Sequence, residues 1–151
     1  MLPSSGCAAR LIRNGAAFVP ELLLYSVRKR RRELVTAILE TGADANVQAE
    51  QGNTALHYAA RMNADFLVED LLAHGADMNV KNAKGYTPLL LAIRYRCYRA
   101  ASALLKHGAD TTVCGGKHNE SVEEMCKRYH CRIDNNSFIK VPFTSKESSI
   151  N

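Results

Sequence analysis

A short C-terminal segment holds the side chains of this chain that are best suited to bind a metal ion. Cys114 and His118 are separated by three residues, and Cys126 and His130 repeat that spacing. Thiolate and imidazole groups are ligands that Zn²⁺ prefers, so these residues form a candidate zinc site. Their spacing matches no common zinc motif, and a cysteine is more often a buried structural residue. We therefore expect no cofactor and treat the zinc site as the weaker alternative.

The histidines do not form a candidate catalytic set. His74 and His107 both precede a Gly-Ala-Asp triplet, and this repeated placement indicates a structural role at the end of a helix. The chain contains no G-x-S-x-G, P-loop or H-E-x-x-H motif. We expect a protein without catalytic residues that is not an enzyme.

Five consecutive basic residues, RKRRR at 28–32, have three possible roles: nuclear import, nucleic-acid contact or an exposed turn. The net charge of +5 favours acidic partners in general. The chain has no aromatic-interleaved basic strand and no zinc-finger pattern, so we do not expect a nucleic-acid partner. No apolar stretch is long enough to span a membrane or precedes Cys7 as a signal peptide would. We expect a cytoplasmic location, with the nucleus as the alternative.

The elements that position these residues recur along the chain every 33 residues. Residues 52–81 align without a gap with residues 85–114, and their glycine, threonine and leucine positions coincide. The tetrapeptide HGAD at 74–77 falls on HGAD at 107–110, and the same offset reaches GADANV at 42–47. A fixed period of this length predicts a series of repeated structural units.

The repeated residues resemble the ankyrin repeat family. GNTALHYAA (52–60) and GYTPLLLAI (85–93) are similar to its G-x-T-P-L-H-x-A-A pattern, and each is followed by the L-L-x-x-G-A-D ending of an outer helix. The resemblance implies an all-α fold, an ankyrin-repeat solenoid of about three helix–turn–helix repeats. Degenerate capping helices would lie at both ends, and β-turn fingers would lie between the repeats.

The same positions predict structural roles. The two threonines of the pattern would cap short helices, the proline would begin one, and the glycines would follow the outer helices in the left-handed conformation. The predicted structural residues are Thr54, Leu56, His57, Gly75, Thr87, Pro88, Leu89 and Gly108. The predicted units are an N-terminal segment at 1–19 with a capping helix, repeats at 20–48, 49–81 and 82–114, a half-repeat cap at 115–131, and a polar, disordered tail at 132–151.

Ankyrin stacks, by this resemblance, bind other proteins with their loop tips and inner helices. Residues 33 apart would lie side by side, which predicts rows of tyrosine and arginine, residue types that are enriched at interfaces. The predicted partner-binding residues are Tyr25, Arg28, Tyr58, Arg61, Met62, Tyr86, Leu91, Arg94, Tyr95 and Arg96. Tyr86 is expected to be an anchor at a loop tip.

Two functions are open at this point. The first is a monomeric, non-enzymatic adaptor, inhibitor or effector that binds a partner protein through its concave face. Residues 49–81 have a net charge of −3 and residues 82–114 of +4, so we expect the partner to carry an acidic patch toward the later repeats. The alternative is a nuclear regulator, imported through residues 28–32, that binds transcription or signalling proteins.

Overall fold

The computed structural model describes residues 19–134 and 137–140. The N-terminal segment at 1–19, where a capping helix was expected, lies outside this range except for residue 19. Within the described residues, the helices are α1 (Val19–Arg28), α2 (Arg32–Glu40), α3 (Ala55–Arg61), α4 (Asp65–Ala73), α5 (Pro88–Arg94), α6 (Tyr98–Lys106) and α7 (Val122–Arg128). None of these helices is long and apolar enough to cross a membrane.

The helix ends repeat with the period of the sequence. Helices α2, α4 and α6 begin at residues 32, 65 and 98, and their preceding partners end at residues 28, 61 and 94. A short turn joins the two helices of each pair, at 29–31, 62–64 and 95–97. Successive pairs are joined by long loops at 41–54, 74–87 and 107–121. The chain is therefore a mostly helical repeat protein.

The helices pack in two rows. The first row runs α1, α3, α5 and α7, each in contact with the next, and the second row runs α2, α4 and α6. Helix α3 buries Ala55, Leu56, His57, Ala59 and Ala60, and helix α5 buries every residue before Arg94. The small alanines allow neighbouring helices to approach closely, so one apolar core runs along the whole series.

The turn within each helix pair contains one residue in the left-handed conformation, with φ of 57° at Arg30, 55° at Asn63 and 57° at Arg96. Asparagine tolerates this conformation better than most residues. Asn63 also bonds forward to the next pair: its Oδ1 accepts from the N–H groups of Arg99 at 3.0 Å and Ala100 at 3.1 Å. These are among the first N–H groups of α6, which have no partner within the helix. Asn63 therefore joins the second pair to the third.

The loops after the second-row helices carry a second polar link between repeats. Asn46 Oδ1 accepts from the Asp77 N–H at 2.6 Å, and Asn79 Oδ1 accepts from the Asp110 N–H at 3.3 Å. Thr112 occupies the equivalent third position, where its hydroxyl turns back to Asp110 at 2.6 Å. The glycine in each of these loops, at 42, 75 and 108, has φ of 87°, a conformation that favours glycine.

The C-terminal part contains strands as well as a helix. Strands β1 (Cys114–Gly115) and β2 (Glu120–Ser121) pair across the last loop, and α7 follows them. Strands β3 (Cys131–Asp134) and β4 (Ser137–Lys140) then form an antiparallel hairpin, and β4 packs against α6. No second-row helix follows α7 in the described part of the chain, so the hairpin lies where such a helix would pack.

The hairpin lies in the segment that was expected to be a disordered tail, 132–151, and it adds short strands to a fold that is mostly helical. Residues 132–134 and 137–140 are in strands, and residues 141–151 lie outside the described range. The physical reason is visible in the first strand, where Cys131 is buried, Arg132 is exposed and Ile133 is half-buried. This alternation suits a strand that packs on one face. In the prediction from sequence, the polar composition of the tail received more weight than this alternation.

We predict that Asn63→Ala destabilises the protein by about 2 kcal/mol, because it removes the cap of α6 and places alanine in the left-handed region. Asn63→Gly removes the same cap but suits that backbone, so its effect should be about half as large. Urea unfolding of both variants measures the difference. Equal stability of the alanine variant and the wild type would show that the bonds to Arg99 and Ala100 contribute nothing.

Candidate protein-binding cleft

A cleft of about 450 Å³ lies along the first row of helices and the loops beside it. Three loops, two helices and the turn at 95–97 contribute to its lining. The lining residues are Gln51, Asn53, His57, Tyr58, Arg61, Asn82, Lys84, Tyr86, Leu91, Arg94, Tyr95 and Lys117. We call this feature the cleft. A smaller depression of about 250 Å³ lies on the second row, between α4 and α6.

Side-chain amides hold the loops of the cleft together. Asn82 is buried; its Nδ2 donates to Asn53 Oδ1 at 2.9 Å, and its Oδ1 accepts from the N–H groups of Lys84 and Tyr86, both at 3.0 Å. Gly52 allows the close approach of the two loops, because a Cβ there would lie 3.0 Å from the backbone nitrogen of Ala83. The amides are thus occupied within the protein, and they position the loop that carries Lys84.

His57 connects α3 to the next loop across the floor of the cleft. Its Nδ1 accepts from the Thr54 N–H at 3.1 Å, so the proton of the neutral ring is on Nε2, which donates to the Tyr86 carbonyl at 2.9 Å. Burial lowers the pKa of His57, and the bond to the Tyr86 carbonyl opposes this only in part. If Nδ1 were also protonated, its N–H would face the Thr54 N–H, and two donors would oppose each other. The neutral ring is therefore the form that fits this structure.

Tyr86 is part of the wall of the cleft. It is only 7% exposed, and its hydroxyl accepts from Arg94 Nη1 at 2.5 Å. Its ring packs against Gly116, where a Cβ would collide with it. The expectation of a free anchor at a loop tip therefore needs correction. Leu91, at 8% exposure, is likewise mostly covered.

Along the first row, an arginine of one repeat lies beside a tyrosine of the following repeat. The guanidinium of Arg28 lies 5.9 Å from the ring centre of Tyr58, and that of Arg61 lies 4.9 Å from the ring of Tyr95. Arg94 is close to Tyr95 as well, at 6.0 Å. Tyr95 is 45% exposed, so part of its side chain remains open to a partner. The ring contacts hold the arginine heads near the surface of the cleft.

Among the residues that the structure describes, the lining of the cleft holds four cations and no carboxylate. The cations are Arg61, Lys84, Arg94 and Lys117. The ion pairs within the described residues use other groups, namely Arg32 with Asp70, Arg99 with Asp65, Lys127 with Glu123 and Arg128 with Glu120. The cleft is therefore an unneutralised positive surface, which attracts acidic ligands.

The structure brings together six of the ten predicted partner-binding residues in the cleft: Tyr58, Arg61, Tyr86, Leu91, Arg94 and Tyr95. Tyr25 and Arg28 extend the same row on α1. Met62 is half-buried at the end of α3, and Arg96 lies in the turn before α6. The sequence placed Lys84 and Lys117 in two loop tips, KNAKGY (81–86) and CGGKHN (114–119), but they were not predicted individually as partner-binding residues. They occupy one loop position exactly one period apart, so the spacing of 33 could have found them.

The basic run at 28–32 spans the turn between α1 and α2 and contacts the second repeat. Arg32 makes two bonds to Asp70, at 2.7 Å and 3.2 Å. Arg30 donates to the Met62 carbonyl at 3.4 Å, and its guanidinium lies 5.6 Å from the ring centre of Phe66. These contacts tie the first helix pair to the second.

The candidate zinc ligands are not gathered into a site. No group of three or more His, Cys, Asp or Glu side chains in the described ranges is arranged to hold a metal ion. His118 and His130 are exposed, whereas Cys126 is buried in α7. The thiol of Cys131 approaches the Cys126 carbonyl at 3.5 Å. This arrangement places the two buried cysteines in the packing between α7 and the hairpin.

Paired helices with a period of 33, joined by long loops beside a cleft, define a helical repeat protein. The sequence profile described as "Ankyrin repeats (3 copies)" matches residues 22–114, which is more than half of the chain. The chain therefore belongs to the ankyrin repeat family. Ankyrin repeats are generally protein–protein interaction modules and are typically non-enzymatic. No curated protein matches the chain.

We predict that acid weakens the fold through His57. Its pKa is lower in the folded than in the unfolded state, so the stability from the neutral ring is present above about pH 6.5 and is lost as the pH falls toward the folded-state pKa. The midpoint of thermal unfolding should fall by a few degrees between about pH 7.5 and about pH 5.5.

Glutamine is the matched replacement, because it can accept from Thr54 and donate to Tyr86 without titrating. The variant His57→Gln should lose this part of the pH dependence, as measured by circular dichroism during heating. Lowered pKa values keep Asp110 and Glu124 ionised across this range. An unchanged pH profile in the variant would contradict the assignment to His57.

Proposed function

We propose that this protein is a non-enzymatic, monomeric binding module that holds a partner protein in the cleft, as an adaptor, inhibitor or effector. In this proposal the repeats at 20–48, 49–81 and 82–114 form a solenoid, and α7 with the hairpin caps its C-terminal end. The supporting observation is the cleft itself, which combines an exposed tyrosine face with four cations that have no carboxylate beside them. Aromatic and arginine side chains dominate many protein interfaces.

The contacts of the basic run favour this proposal over nuclear import. Arg30 and Arg32 contact Met62, Phe66 and Asp70 in the next repeat, so part of the run serves to join repeats. An import receptor would have to compete with these contacts. We propose a structural role for the run, which leaves the cleft as the site of partner binding.

The test compares the two rows of helices. The variant Arg61→Glu/Tyr95→Ala changes the cleft, and the control Lys106→Glu/Thr111→Ala makes the same change of charge at exposed residues of α6 and the loop after it. We expect the cleft variant to retain at least tenfold less partner in affinity capture from a cell extract, because a loss of about 1.4 kcal/mol raises Kd tenfold and a central interface residue contributes more than about 1 kcal/mol. The control should capture the same proteins as the wild type.

Quantitative mass spectrometry of the captured proteins provides the measurement, and circular dichroism shows whether each variant is folded. Cross-linking from a photoreactive residue placed at Tyr95 then identifies which captured protein lies in the cleft. If both variants capture the same proteins in the same amounts, partner binding uses another surface and the proposal is wrong.

A further inference from the structure

The polar groups of the cleft are unequally available to a ligand. The amides of Asn53 and Asn82 bond to each other and to the backbone, and both ring nitrogens of His57 are engaged. The charged groups among the lining residues are all cations. A ligand that offers anionic acceptors can use them, whereas a cationic ligand would meet repulsion on every side.

The cations come from two kinds of element. Lys84 and Lys117 lie on successive loops, whereas Arg61 and Arg94 end the first-row helices α3 and α5. A ligand in the cleft therefore meets cations from both kinds of element. An extended peptide suits this arrangement, because its successive side chains point in opposite directions. Two adjacent acidic residues would present one carboxylate to the loops and one to the helices.

The size of the cleft limits how much of a partner can enter. Its volume of about 450 Å³ is in the range of a small-ligand site. A standard protein interface covers about 800 Å² on each partner, so the folded body of a partner must rest outside. A protruding or unstructured segment of the partner can place a few side chains in the cleft.

We infer that the cleft binds an extended acidic peptide segment, with at least two adjacent aspartate or glutamate residues placed between Lys84 and Lys117 on the loops and Arg61 and Arg94 on the helices. This inference rests on the proposed function and names the part of the partner that is bound. An aromatic or apolar residue next to the acidic pair would pack on the exposed face of Tyr95. The carboxylates themselves are the recognised groups.

The experiment selects peptides without assuming their sequence. Random dodecapeptides displayed on phage are selected on the full chain, and the enriched peptides are synthesised for fluorescence polarisation. Each peptide is measured against Lys84→Gln/Lys117→Gln and against the control Lys106→Gln/Arg31→Gln, which removes the same number of charges elsewhere on the exposed surface. Matching peptides with glutamine in place of the acidic residues, or with phosphotyrosine, complete the set.

We expect the enriched peptides to contain adjacent acidic residues. The cleft variant should raise their Kd roughly five- to tenfold, because two exposed charge contacts are lost, and the control should leave Kd unchanged. Replacing the acidic residues by glutamine should weaken binding to a similar extent. Raising the salt from about 0.1 M to about 1 M shortens the Debye length from ~10 Å to ~3 Å and should also weaken it.

The contrary outcomes separate this inference from the proposed function. Neutral or basic peptides that depend on Lys84 and Lys117 would overturn the inference and leave the cleft as the binding site. A requirement for phosphotyrosine would overturn the role of carboxylates. If no peptide is enriched while the capture of folded proteins still depends on the cleft, the inference that an extended segment is bound is wrong. If the enriched peptides bind the cleft variant as tightly as the wild type, both this inference and the proposed function are contradicted.

Discussion

No helix pair in this protein can bury its apolar surface without a neighbour, and the rest of the structure follows from that constraint. Helix α3 contacts α1 on one side and α5 on the other, and its alanines and Leu56 are fully covered only because both neighbours are present. Stability in such a series is a sum of terms between adjacent repeats. The end of the series therefore needs a different element, and here β4 covers α6 while α7 covers α5.

Polar bonds between neighbours determine how the repeats are aligned. Asn46, Asn63 and His57 each bond to backbone groups of the following repeat. The bonds of Asn46 and Asn63 are exposed or part-buried and contribute modestly, whereas His57 is buried, and an unpaired buried donor or acceptor costs about 1–3 kcal/mol. The bond from His57 to the Tyr86 carbonyl has a further consequence, because the same loop carries Lys84. The alignment that satisfies a buried histidine thus also places a cation at the cleft.

The spacing of 33 predicted the repeats and their mostly helical fold, since Thr54 and Thr87 precede α3 and α5 and a glycine follows each second-row helix. It could not predict the burial of Tyr86, which depends on Arg94 and on Gly116 in a later loop. The hairpin was missed because its strands are short and lie in a polar segment. Lys84 and Lys117 were not predicted individually for another reason: the sequence reasoning weighted aromatic and arginine residues and passed over lysines at an equivalent position. The composition of the cleft emerges only when loops and helices are seen together.

The distribution of charge also explains why the net charge of the repeats was an incomplete guide to the partner. The second repeat is acidic overall, yet it contributes Arg61 to the cleft, and its carboxylates Asp65 and Asp70 are on the second-row helix α4. Packed helices are about 8–10 Å apart, which is close to the Debye length of about 8 Å at physiological salt. Screening therefore reduces the effect of Asp65 and Asp70 on the cleft, and their ion pairs with Arg99 and Arg32 reduce it further. The described lining of the cleft contributes four cations and no carboxylate, whatever the sum of charges in each repeat.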